Sequence, residues 1–207
     1  MSSFDKLGDE FDDDGTTPLD PDEREGLKYP HIQTRGELNA AEQSNIQDGF
    51  LWLARQRSFR QLEYLTEEFL LSLHRRMFGK VWAWAGRYRN SEKSIGVYPG
   101  DIGPEVRKLL DDARYWVEQG TWNREHFAAR FHHRLEQIHP FPNGNGRHGR
   151  IMTDTVLTEI LQQAPVDWLA GGDPAQRRVE YIAALRSADT GDYGLLERFI
   201  KQTQVRD

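Results

Sequence analysis

Two apolar stripes at helical spacing constrain this chain more than anything else in it. Phe127, Phe131, Leu135 and Ile138 recur at i, i+4, i+8 and i+11, and Ile151, Met152, Val156, Leu157, Ile160 and Leu161 follow after an interval of only twelve residues. Each stripe marks one face of a helix that has to be buried, and so short a connection makes the two helices neighbours. The connection, His139-Pro-Phe-Pro-Asn-Gly-Asn-Gly-Arg-His-Gly-Arg150, is therefore held at both ends by packed structure.

The composition of that loop is that of an anion site. Gly144 and Gly146 let successive N–H groups converge on one point, and a helix starting near Gly146 adds its unpaired N–H groups and the positive end of its dipole. Arg147 and Arg150, at i and i+3, share the first turn of that helix. Arginine there opposes the dipole, which a bound polyphosphate offsets. His139 ends the preceding helix, because Pro140 biases it away from the α region. An imidazole with a reference pKa of about 6.5 is neutral enough to take a proton from a hydroxyl, which makes His139 the candidate general base.

The stretch resembles the active-site motif of the Fic family: His-Pro-Phe, any residue, Asp or Glu, Gly-Asn-Gly-Arg, two residues, Arg. It agrees at eleven of twelve positions. The resemblance implies an all-α fold, a Fic-type helical bundle with a short β-hairpin flap, and transfer of AMP from ATP to a Ser, Thr or Tyr hydroxyl of a target protein. By the same resemblance His139 is catalytic, while Phe141, Gly144, Asn145, Gly146, Arg147 and Arg150 form the nucleotide site. Asn143 stands where the family has a metal-binding acid. A neutral amide is a weaker ligand for Mg or Mn than a carboxylate. Two alternatives accompany this reading: phosphoryl transfer of the Doc type with the nucleotide reversed, and a nucleotide-binding interaction module with weakened catalysis.

Elsewhere the chain reads as scaffold around the loop. Residues 1–27 form an acidic segment expected to be poorly ordered, and residues 28–207 the helical domain. Residues 1–26 hold ten acids and two bases, so the remainder is nearly neutral and lacks the basic stripe of a nucleic-acid binder. No apolar run approaches a membrane span and the acidic N-terminus is the reverse of a basic leader, from which we expect a cytoplasmic protein; the absence of cysteine removes disulfides and thiolate metal sites and is neutral about compartment.

Helices are expected from Thr34 to about Gln56, from Thr66 to Gly79, from Pro104 to Gly120, from Thr121 or Asn123 to Ile138, from Pro174 to about Arg186 and from Tyr193 to Thr203. In the last two, Val179, Ile182, Leu185, Leu196, Phe199 and Ile200 are expected inward. Trp82 to Gly86 resembles the Trp-Ala-Gly stretch before the Fic flap. The period fails over residues 87–101, the flap, where Ser94, Ile95, Gly96 and Val97 would take a target strand by main-chain pairing. Ser44 and Asp48 resemble an inhibitory Ser-x-x-x-Glu-Gly pattern with a shorter acid, and Glu37 and Glu42 are further acids that could face Arg150. His74, His132 and His133 read as packing or surface residues, and the histidine spacing does not make a zinc site.

Overall fold

A computed structural model describes residues 26–55, 61–169 and 173–201. Among them are seven α-helices: α1 (Arg35–Ala54), α2 (Glu67–Phe78), α3 (Ile102–Gln119), α4 (Arg124–Ile138), α5 (Asn145–Thr155), α6 (Pro174–Asp189) and α7 (Gly194–Lys201). Apart from Leu27 and its neighbour Gly26, the acidic segment lies outside the described residues. Leu27 forms an isolated antiparallel bridge with Trp82.

Local chemistry places the helix ends. The Thr34 hydroxyl accepts from the Glu37 N–H while the Glu37 carboxylate accepts from the Thr34 N–H, a reciprocal pair that starts α1. Glu37 is thereby engaged at the cap. Thr66 accepts from Phe69 N–H at the start of α2, and Asn123 from His126 N–H at the start of α4. Gly120 closes α3 at φ 56°, where glycine avoids the left-handed penalty.

α4 and α5 form the centre, with α2 and α3 against one side and α7 against α4. Phe127, Phe131, Leu135 and Ile138 from α4 and Ile151 and Met152 from α5 are all at most 2% exposed. Burying a side chain of this size contributes about 1.5–3 kcal/mol, so the pair resists separation. Beyond Thr155 the helix widens into one π turn, Val156–Ile160, whose apolar residues remain buried. Asp154 then clasps the returning chain, accepting from Val166 N–H and Trp168 Nε1–H, both at 2.9 Å.

Two expectations need correction. Residues 87–98 contain no strand, so the β-hairpin flap is absent; the segment runs through bends, and the Ser91 and Val97 carbonyls accept from the Arg89 side chain. On α6, Val179 and Ile182 face solvent, at 62% and 36% exposure. Its buried face is Arg177, Tyr181, Ala184 and Ala188, because the Arg177 guanidinium lies flat over Phe199 and donates to its carbonyl. An arginine stem packs as an apolar surface once its head is paired.

Candidate active site

His139 terminates α4 in the left-handed region, φ 51° and ψ 62°, with its N–H donating to Leu135 O. Few residues other than glycine tolerate that conformation, and neighbouring contacts hold it here. Arg89, only 3% exposed, donates from Nε to His139 O at 2.7 Å and from its terminal nitrogens to the carbonyls of Ser91, Val97 and Ile138. Two main-chain bonds, Arg89 N–H to Pro140 O and Val97 N–H to Ile138 O, tie the flap to the same turn. The imidazole is half-buried and donates to the main-chain carbonyl of Glu136, which leaves its second nitrogen as the acceptor. Burial lowers its pKa below an ordinary histidine, and the Arg89 charge acts in the same direction. The base is thus neutral at neutral pH.

Phe141 is fully buried and stacks on His74, with ring centroids 3.6 Å apart. His74 is a strut: Gly86 N–H donates to its Nδ1, so Nε2 carries the proton and donates to Asn143 O at 3.1 Å. Burial holds it well below the usual histidine range, which preserves that tautomer. Asn145 folds back on the loop, accepting from Phe141 N–H and donating to Phe141 O, at 2.9 and 2.8 Å. Its side chain shapes the loop. Gly144 sits at φ 78°, and a Cβ there would lie 2.7 Å from the Phe78 ring, so both backbone and packing require glycine.

α5 begins at Asn145 without a side-chain cap. Its first N–H groups are therefore available to an anion, with Gly146 partly open at the surface of the loop. Arg147 lies over the Phe78 ring at 4.9 Å and pairs with Glu42 of α1, Nη1 to Oε2 at 2.5 Å. Glu42 is 2% exposed and its other oxygen accepts from Trp82 Nε1–H. Arg150 is buried at 5% exposure and donates to the Tyr181 hydroxyl. His148 Nε2–H donates to Leu70 O and joins α5 to α2.

Of the residues singled out in the sequence, the loop set lies together. Ser44 and Asp48 do not: Ser44 is exposed and Asp48 pairs with Lys80 at 2.6 Å. Glu42 is the acid of α1 that reaches the loop, and its partner is Arg147 where Arg150 was expected. Ser94, Ile95 and Gly96 are exposed and Val97 is half-buried. Asn143 accepts from Gly144 N–H at 2.6 Å, and among the described residues no group of three or more metal-type ligands converges. Sequence reasoning missed Arg89, since a lone arginine in an irregular segment carries no pattern. No described helix is long and apolar enough to cross a membrane.

Comparison with known proteins agrees with this geometry. A model of the Fic/DOC family matches residues 64–157. A protein adenylyltransferase Fic of Drosophila mojavensis is 31% identical over 145 residues, 66% of this chain, and one of Drosophila melanogaster 30% identical over 144. The chain spans 27% of the length of each. Among solved structures, Fic-1 of C. elegans superposes with TM-score 0.65 at 22% identity, over 86% of this chain and 52% of that one. BepC of Bartonella tribocorum, with bound AMPPNP, gives TM-score 0.67 at 19% identity over 92% and 94%. The helical architecture, the loop it carries and the match over residues 64–157 agree in making this chain similar to proteins of the Fic/DOC family.

Proposed function

We propose that this chain is a protein adenylyltransferase: it binds ATP at the loop 139–150 and transfers AMP to a Ser, Thr or Tyr hydroxyl of a target protein. The observation that carries the reading is the placement of a neutral, carbonyl-oriented imidazole at one end of a loop whose other end is an uncapped helix start flanked by Arg147 and Arg150. The adenylyltransferase names of its relatives and the AMPPNP in BepC support it.

In the reaction, His139 takes the proton of the incoming hydroxyl as its oxygen attacks the α-phosphorus. The bond from the α-phosphorus to the bridging oxygen breaks, and pyrophosphate leaves. The amides at the start of α5 and the two guanidiniums hold the charge that accumulates on the phosphates, so positioning and electrostatics supply most of the acceleration. Magnesium or manganese arriving with ATP would meet only the amide oxygen of Asn143. The flap, fixed by Arg89 beside His139, presents Ser94, Ile95 and Gly96 to the target backbone. ATP as substrate fits a cytoplasmic setting.

Glu42 adds control to the same site. Its carboxylate occupies Arg147 where a phosphate would lie, so nucleotide has to displace it, and α1 acts as an inhibitory helix through Glu42. Incubating the chain with ATP labelled at the α or at the γ phosphate tests the assignment. Label transferred from the α position to protein is the expected result; transfer of only the γ label would reassign it as a phosphotransferase.

A further inference from the structure

One buried carboxyl behind the loop has no part in this chemistry. Glu136 lies on the last turn of α4, and although the residue is half-buried, its Oε1 is sealed from solvent and meets no hydrogen-bond donor among the described residues. A Cβ built on Gly149 would stand 2.2 Å from that oxygen and 3.5 Å from His132 Cε1. Glycine at 149 is therefore what lets α5 approach the carboxyl.

Arg150 follows, and its guanidinium leans back along α5 until Nη1 is 3.4 Å from where a Cβ on Gly146 would be. It thus borders the anion loop while its charge still acts on the Glu136 carboxyl. Arg150 of α5 and Tyr181 of α6 act on Glu136 electrostatically, His132 of the same helix lies beside it against Gly149, His139 bonds its main-chain carbonyl, and Asp154 acts on the same Arg150. Asp154 has two donors, and His132 Nε2 and the Tyr181 hydroxyl bond each other at 2.7 Å. Glu136 is the member with an open acceptor.

An ionised carboxylate and a bound polyphosphate would compete for the same guanidinium. Burial already pushes Glu136 up to about 7, against the pull of Arg150. Negative charge arriving in the loop acts in the direction of burial. We propose that Glu136 is a positioning residue for Arg150, and that it takes up a proton from solvent when a polyphosphate enters the loop, so that the charge of the guanidinium is left to the phosphate. As its main-chain carbonyl orients His139, one turn of α4 governs both the base and the second arginine. The proposal rests on the loop being a nucleotide site.

Calorimetric titration of the full chain with ADP, from about pH 6 to about pH 8.5 in two buffers of different ionisation heat, reads the proton count. The wild type is expected to take up more protons per ADP than Glu136→Gln, and to lose affinity by up to about tenfold per pH unit above neutrality relative to that variant. ADP and His139 titrate in both proteins, so the difference isolates Glu136. Equal proton counts and equal pH slopes would overturn the proposal; a merely structural role would change affinity or melting without changing either.

Should Glu136→Gln not fold, carboxyl-carbon NMR of the wild type gives the answer, with the Glu136 resonance expected to titrate at higher pH once tripolyphosphate is added. No movement counts against the proposal. Failure of the wild type to bind either ADP or tripolyphosphate would remove the nucleotide reading and this proposal together. Binding without Glu136-dependent proton uptake would remove this proposal alone.

Discussion

Glu42 and Arg147 stand 2.5 Å apart, joining α1 to the first turn of α5, with the Glu42 carboxylate 2% and the Arg147 side chain 13% exposed. Trp82 Nε1–H satisfies the other carboxylate oxygen. A pair this deeply held ties α1 to the start of α5 and, in the function proposed above, withholds an arginine from the anion loop.

Removing the carboxylate should therefore separate stability from binding. Glu42→Ala is expected to cost about 3–5 kcal/mol, the usual penalty for stranding one partner of a buried pair. Nucleotide affinity is expected to rise. Asp48→Ala serves as the control: its pair with Lys80 is exposed at 65% and 44%, and such pairs contribute about 0–1 kcal/mol. Urea denaturation and ADP titration of both variants check the contrast; equal ADP affinity in Glu42→Ala and wild type would remove Glu42 as an inhibitory residue.

His139→Ala should abolish transfer of label from α-labelled ATP and leave the far-ultraviolet circular dichroism unchanged. The wild-type rate at saturating nucleotide should follow the neutral imidazole. Because burial lowers the His139 pKa, activity should persist as pH falls past the ordinary histidine value of about 6.5 and disappear only below it. An acid limb at or above that value would contradict the assigned environment.

Arg89→Lys tests the flap anchor. Lysine carries the charge but not the planar fork that reaches the carbonyls of Ser91, Val97, Ile138 and His139 together. Faster hydrogen exchange at the Val97 amide is expected, along with a transfer rate at least about tenfold lower through loss of positioning. Exchange indistinguishable from wild type would show that the flap is held by its two main-chain bonds alone.

Asn143→Asp places a carboxylate where the chain has an amide while keeping an acceptor for Gly144 N–H. Transfer should become more strongly dependent on magnesium or manganese, with half-activation at lower cation concentration. A cation titration of initial rates decides it, and an unchanged midpoint would mean that the side chain at 143 does not meet the cation.

The helices were legible because local rules and burial agree. Thr34, Thr66 and Asn123 cap where their side chains allow, and the α4 and α5 stripes repeat at helical spacing over residues that are nearly all buried. α6 misled for the opposite reason: Arg177 is buried and Val179 is not, a choice made by the Phe199 ring and carbonyl, which arrive from another helix 22 residues further along the chain. The flap was legible as an irregular segment but not in its conformation, since Arg89 replaces strand pairing with side-chain bonds.

The sequence by itself determined the helical class, the loop 139–150 and the chemistry available there, because periodicity, caps and the glycine and arginine spacing are local properties. Only the tertiary structure decided which acid of α1 meets the loop, that Arg89 holds His139 in place and that Glu136 lies behind Arg150. Those relationships join residues 105, 50 and 14 positions apart, and nothing along the chain encodes a relationship that exists only once the helices have packed.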